Sequence, residues 1–171
     1  MKTLLLLMFA AGAAHAETNA PHIKAALSAY EVGNAAVREH HLNAAIDSFR
    51  RAIEIEPTFM EARRGLIEAL LSSGNRLEAA AAITRLLEIE PDANRYRLVL
   101  GRILLDQKQP SRALAQFSIL LESEPDNADA LLGFAAAAKQ AGMQSKALDA
   151  LKRGAARYPT DRRFQQALNS R

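Results

Sequence analysis

The stretch EIEPTF at residues 54–59 returns as EIEPDA at residues 88–93, and each copy closes an apolar run with helical spacing. Working outward from it, Pro57, Pro91, Pro125 and Pro159 are evenly spaced along the chain. A proline ring cannot continue a helix, and it drives the preceding residue toward extended geometry, so each proline marks a break between two helices. Breaks at one fixed pitch mean that the chain is built from equal units.

The packing positions keep the same register. Twelve residues before each proline stand Ala45, Ala79, Ala113 and Ala147; eight before stand Phe49, Ile83, Phe117 and Leu151; five before stand Ala52, Leu86, Leu120 and Gly154. The three sets share one face of a helix. A further helix precedes this one in each unit. Its apolar or small positions are Val32, Leu66, Leu100 and Phe134, then Gly33, Ile67, Gly101 and Ala135, then Ala36, Leu70, Leu104 and Ala138. Turn signals separate the two helices at His40-His41, Ser73-Gly74-Asn75, Lys108-Gln109-Pro110 and Ala141-Gly142. Thr58, Asp92, Asp126 and Thr160 follow the prolines and are expected as N-caps of the next helix, with Thr58 and Glu61 spaced as a capping box.

A 34-residue helix-turn-helix unit with these residues at these positions resembles the tetratricopeptide repeat. The resemblance covers residues 26–161 as four repeats, 26–59, 60–93, 94–127 and 128–161, and Gly33, Ala45, Phe49, Ala52 and Pro57 give the fullest set. Ile67, Leu86, Leu151 and Gly154 depart from the pattern, and no unit has the tryptophan and tyrosine that the family favours in its first helix. The expected fold is all-α, an α-solenoid of four repeats closed by a C-terminal capping helix at 162–171. In that helix Phe164 and Leu168 face the last repeat, and Arg162, Arg163 and Gln166 face water. Because one such unit cannot bury its own apolar face, stability should come from stacking. A larger side chain at Ala79 or Ala113 should then force the helices apart, at about 1–3 kcal/mol.

The first residues read differently. MKTLLLLMFAAGAAHA has a basic start, an apolar stretch and a small-x-small site, which predicts a signal peptide at 1–16 cleaved after Ala16. An anchor needs about 20 apolar residues, and this run breaks at His15 and Glu17. The prediction is therefore a periplasmic protein with no membrane span in the mature chain, residues 17–25 forming an N-terminal segment. The chain has no cysteine, so neither a lipid anchor nor a disulfide framework is available. Without Lys2 the formal charge falls from +3 to +2, and no basic run or aromatic platform suggests a nucleic-acid partner.

In the family this chain resembles, first helices of successive repeats line a concave groove that receives a peptide or a partner helix. Carried over, that implies Tyr30, Asn34, Arg64, Glu68, Leu71, Leu98, Arg102, Leu105 and Leu132 as binding residues, with Leu27, Val37, Arg38, Glu61, Arg95, Asp106, Asp129 and Lys139 on the same face. Val37, Leu71 and Leu105 recur once per repeat, as do Leu98 and Leu132; they form apolar tracks in the groove or packing between first helices. Arg64 and Arg102 suit a partner carboxylate, or pair internally with Glu61, Glu68 or Asp106. The carboxylate clamp of the family's chaperone adaptors does not fit, since Tyr30 stands where a base is wanted and Glu68 where asparagine is wanted.

Enzymatic motifs are missing: there is no Gly-x-Ser-x-Gly, no phosphate-binding Gly-rich loop and no His-Glu-x-x-His. Glu39-His40-His41 reads as a solvated turn and not a metal site, and no cofactor is implied. The expectation is a non-catalytic scaffold or adaptor in the bacterial cell envelope, bound to a protein or peptide partner such as a secretion component. The alternative is a self-associating structural protein.

Overall fold

The computed structural model describes residues 20–170 in full and, for residues 2–19, the helical course of the backbone alone. The expected signal segment 1–16 and its cleavage site lie outside the fully described part. The helices are α1 (Lys2–Arg38), α2 (Leu42–Ile55), α3 (Met60–Ser72), α4 (Arg76–Ile89), α5 (Asn94–Asp106), α6 (Pro110–Ser123), α7 (Ala128–Gln140), α8 (Gln144–Arg157) and α9 (Arg162–Asn169). No strand occurs among the described residues, and the fold is the all-α solenoid of helical hairpins expected from the period. Two compact units, residues 1–82 and 83–171, divide within α4. Among the described residues no helix is long and apolar enough to cross a membrane.

Each hairpin closes through the same device. His40, Gly74, Lys108 and Gly142, one per repeat, have positive φ of 58, 79, 58 and 75°. The following N–H then reaches back to a carbonyl of the last turn, as in His41 to Ala36 at 2.8 Å and Gln109 to Leu104 at 2.9 Å. This is the Schellman ending, which satisfies carbonyls that a helix terminus would otherwise leave open.

Between hairpins the proline sits second in a β-turn. The N–H groups of Phe59, Ala93, Asn127 and Asp161 donate to the carbonyls of Glu56, Glu90, Glu124 and Tyr158 at 3.0 to 3.1 Å. Proline's fixed φ favours that place. The turn corrects the expected caps. Thr58, Asp92, Asp126 and Thr160 occupy the third turn position, so the N-cap falls one residue later, on Phe59, Ala93, Asn127 and Asp161. Of these, Asn127 and Asp161 cap with their side chains, accepting from the N–H of Ala130 at 2.9 Å and of Arg163 at 3.0 Å. Thr58 instead closes the turn, donating its hydroxyl to Glu56 and its N–H to the same carboxylate at 3.0 Å. Those two bonds, side-chain hydroxyl first, lower the Glu56 pKa.

Arginines pin the same turns. Arg63 donates to the Pro57 carbonyl through Nε at 3.0 Å and Nη2 at 2.6 Å. Arg97, its equivalent one repeat on, donates Nη2 to the Pro91 carbonyl and Nη1 to Gln116 Oε1 at 3.1 Å. In the last repeat Arg153 reaches the Pro125 carbonyl at 3.0 Å. Arg97 is the one charged residue in the core of the described chain, 7% exposed.

The four alanines twelve before the prolines are buried, which lets paired helices approach closely. In the first unit the Phe49 ring lies between Gly33 of its own hairpin and Gly65 of the next, where an added Cβ would stand 2.6 and 2.8 Å from ring carbons. In the second unit Phe117 lies between Gly101 and Gly133 in the same way, at 2.6 and 2.5 Å. The two triplets are separated by exactly two repeats of sequence. The intervening register carries Ile67, Ile83 and Val99, so aromatic volume and missing side chains alternate together. Gly154 departs from the pattern for the same reason: a Cβ there would meet the buried ring of Phe164 on α9.

Candidate functional site

In the first unit α1 turns two stripes in different directions. Ala26, Gly33 and Ala36 are buried. Ile23, Leu27, Tyr30, Asn34 and Val37, spaced by three or four, share another side, which α1 presents together with α3. Ile23, Leu27 and Val37 are 51, 45 and 40% exposed, a row of aliphatic side chains on one helix face. Ile23 escaped the register reading because it lies just before the first full repeat. Tyr30 is half-buried, its ring 5.7 Å from Phe49 and 5.0 Å from Phe59, so it packs as well as borders the row. Asn34 on α1 and Arg64, Glu68 and Leu71 on α3 are half-buried. Glu39 and His41 lie exposed in the turn, 3.3 Å apart.

In the second unit, described by itself, the equivalent first helices are α5 and α7. Leu98 and Leu105 on α5 and Leu132 on α7 are half-buried, and Leu132 packs against the core of the last repeat. Arg102 is exposed and pairs with Asp129 of α7 at 3.3 Å. Asp129 also accepts from Arg163 of α9 at 2.7 Å, and Arg163 pairs with Asp161 at 2.7 Å. Hydrogen bonds from Arg163, side chain first and then backbone, lower the Asp161 pKa. The signal for the Asp129–Arg163 pair was in the sequence: the two hold one register position in successive repeats, with opposite sign. Exposed pairs of this kind contribute about 0–1 kcal/mol each, so a ligand carboxylate can compete with Asp129 for Arg102. Among the described residues no cluster of His, Cys, Asp and Glu could hold a metal ion.

A family model described as tetratricopeptide repeat matches residues 36–103 and again 104–170. The chain belongs to the tetratricopeptide repeat family. Each match spans one pair of repeats, the same step that separates Phe49 from Phe117. Among solved structures, this tetratricopeptide repeat protein is similar to a MamA fragment from Desulfovibrio magneticus RS-1, at 19% identity and TM-score 0.73, over 84% of this chain and 81% of that one. It is similar also to YrrB, described as a tetratricopeptide repeat protein with an unusual peptide-binding site, at 23% identity and TM-score 0.72, over 84% and 74%. A tetratricopeptide repeat protein from Parabacteroides merdae aligns at 17% identity and TM-score 0.69, over 84% and 56%. At these identities the likeness is one of fold. No curated protein matches the chain.

Proposed function

We propose that the protein is a non-catalytic interaction scaffold of the bacterial cell envelope, holding a peptide or helix of a partner protein on its first-helix face while an envelope complex is assembled or stabilised. The observation that carries this reading is the exposed row Ile23, Leu27 and Val37 on α1, beside Arg64 in the first unit; in the second unit, taken by itself, the first helix α5 carries the exposed Arg102. An apolar helix side or an extended segment with a carboxylate suits such a surface. Helices held by packing lose little freedom when they bind, which favours affinity. The peptide-binding site named for YrrB supports the class of ligand. The leader-like first sixteen residues support the compartment.

Affinity capture from an envelope fraction tests the reading. The protein should retain a partner, and the double variant Arg64→Glu, Arg102→Glu should lose it at unchanged helicity and melting temperature. A partner still held by the double variant would remove the first-helix face from the account. Mass analysis of the exported protein should give a chain beginning at Glu17.

A further inference from the structure

A second surface, on another side of α1, is open in the first repeat and walled in later ones. In the third repeat a cleft lies between α5 and α6, and its third wall is the preceding helix α4, through Thr84, Leu87 and Glu88. In the fourth repeat the equivalent cleft lies between α7 and α8, with Ser118, Leu121 and Glu122 of α6 as the third wall. Both walls therefore read Thr/Ser-x-x-Leu-Glu. In the first repeat the same register gives a cleft bounded by α1 and α2 alone, with Ala29, Val32, Ser48 and Arg51 among its residues. Among the described residues nothing stands where the third helix would be. The consequence shows at one position: Leu100 is 4% exposed, and Val32, its equivalent two repeats earlier, is 56% exposed.

The charges say what is missing. Glu122 of the wall and Asp149 of α8 share their cleft with Lys146 and Arg153, and Glu88 of the wall is, among the described residues, the one carboxylate in its own, beside Arg97 and Arg112. The first cleft has Arg51 and no carboxylate. We propose that this open edge of α1 and α2 docks an amphipathic helix of another protein, one that ends in a leucine followed by glutamate, the leucine covering Val32 and the glutamate meeting Arg51. A second copy of this chain does not fit the description. Its Leu87-Glu88 and Leu121-Glu122 pairs already wall its own clefts, and α8 carries Ala155-Ala156 at that point, with Ala155 packed in the core that holds Phe164 of α9.

The probe is the chain's own wall helix, a fluorescein-labelled peptide of residues 110–124 (PSRALAQFSILLESE), stapled between positions 112 and 116, on the side away from Ser118, Leu121 and Glu122, because so short a helix is marginal alone. Anisotropy with the full chain should show saturable binding. Val32→Asp should weaken it at least tenfold at unchanged circular dichroism. Glu122→Lys in the peptide should weaken it similarly, and Arg51→Glu in the chain should restore that variant. Arg64→Glu with Arg102→Glu should leave binding intact, which separates this edge from the first-helix face. Absence of saturable binding, indifference to Val32→Asp, loss with the Arg64 and Arg102 variants, or dimerisation of the chain that Val32→Asp abolishes would each overturn the proposal.

Discussion

At Gly154 a hydrogen atom stands where the equivalent positions carry Ala52, Leu86 and Leu120, because the Phe164 ring fills the space. Gly154→Ala is therefore expected to destabilise the last repeat by about 1–3 kcal/mol through overpacking, read as a lower urea midpoint with unchanged slope. Lys108 is a different kind of strain: a side chain in the left-handed region at φ 58°, where Gly74 and Gly142 serve the other hairpins. Lys108→Gly should raise stability by about 0.5–1 kcal/mol, the relief of the Cβ clash exceeding the added freedom of the unfolded chain; thermal unfolding checks it. Sequence marked both positions, one as a departure from the repeat pattern and one as a turn signal. The cause at Gly154 was not legible, since it depends on which residue of α9 meets it in space.

Among elements, the helices and their breaks were legible because a proline and a left-handed turn recur at one pitch, whereas the caps were not. Each proline organises a four-residue turn, and that moved the cap from Thr160 to Asp161, a shift of one residue that only the turn's hydrogen bond reveals. Asp161 fixes the start of α9, and Arg163 holds its folded pKa below the ordinary 3.8. A depressed carboxylate contributes its stabilisation above the unfolded value and loses it as pH falls through the folded one. Opening of α9, read as hydrogen exchange relative to the intrinsic rate at each pH, should thus be constant near neutrality and rise as pH drops below 3.8. Asp161→Asn should reduce that rise, since Asp129 is then the remaining carboxylate on Arg163. Protection of α9 that persists unchanged to the lowest pH would argue that Phe164 alone docks it.

For the molecule as a whole, the single-repeat pitch was plain in the prolines, while the two-repeat alternation was hidden behind apparent departures such as Ile67. Those departures are compensated volumes: Phe49 and Phe117 fit only beside glycines. Phe49→Ala and Phe117→Ala should each cost about 3–5 kcal/mol, and native-state hydrogen exchange should show the loss first in the unit that contains the mutated ring. Ile23 was not legible because it precedes the first full repeat, and the pairing of Asp129 with Arg102 and Arg163 was not, because those arginines come from neighbouring helices. The glycine clasp also governs how such a protein can change length. Excising residues 60–93 would align Val99, in place of Gly65, with the ring of Phe49, a branched side chain where one carbon already collides. Excising residues 60–127 would align Gly133 and keep the fit, so removal of two repeats should leave a folded chain where removal of one should not.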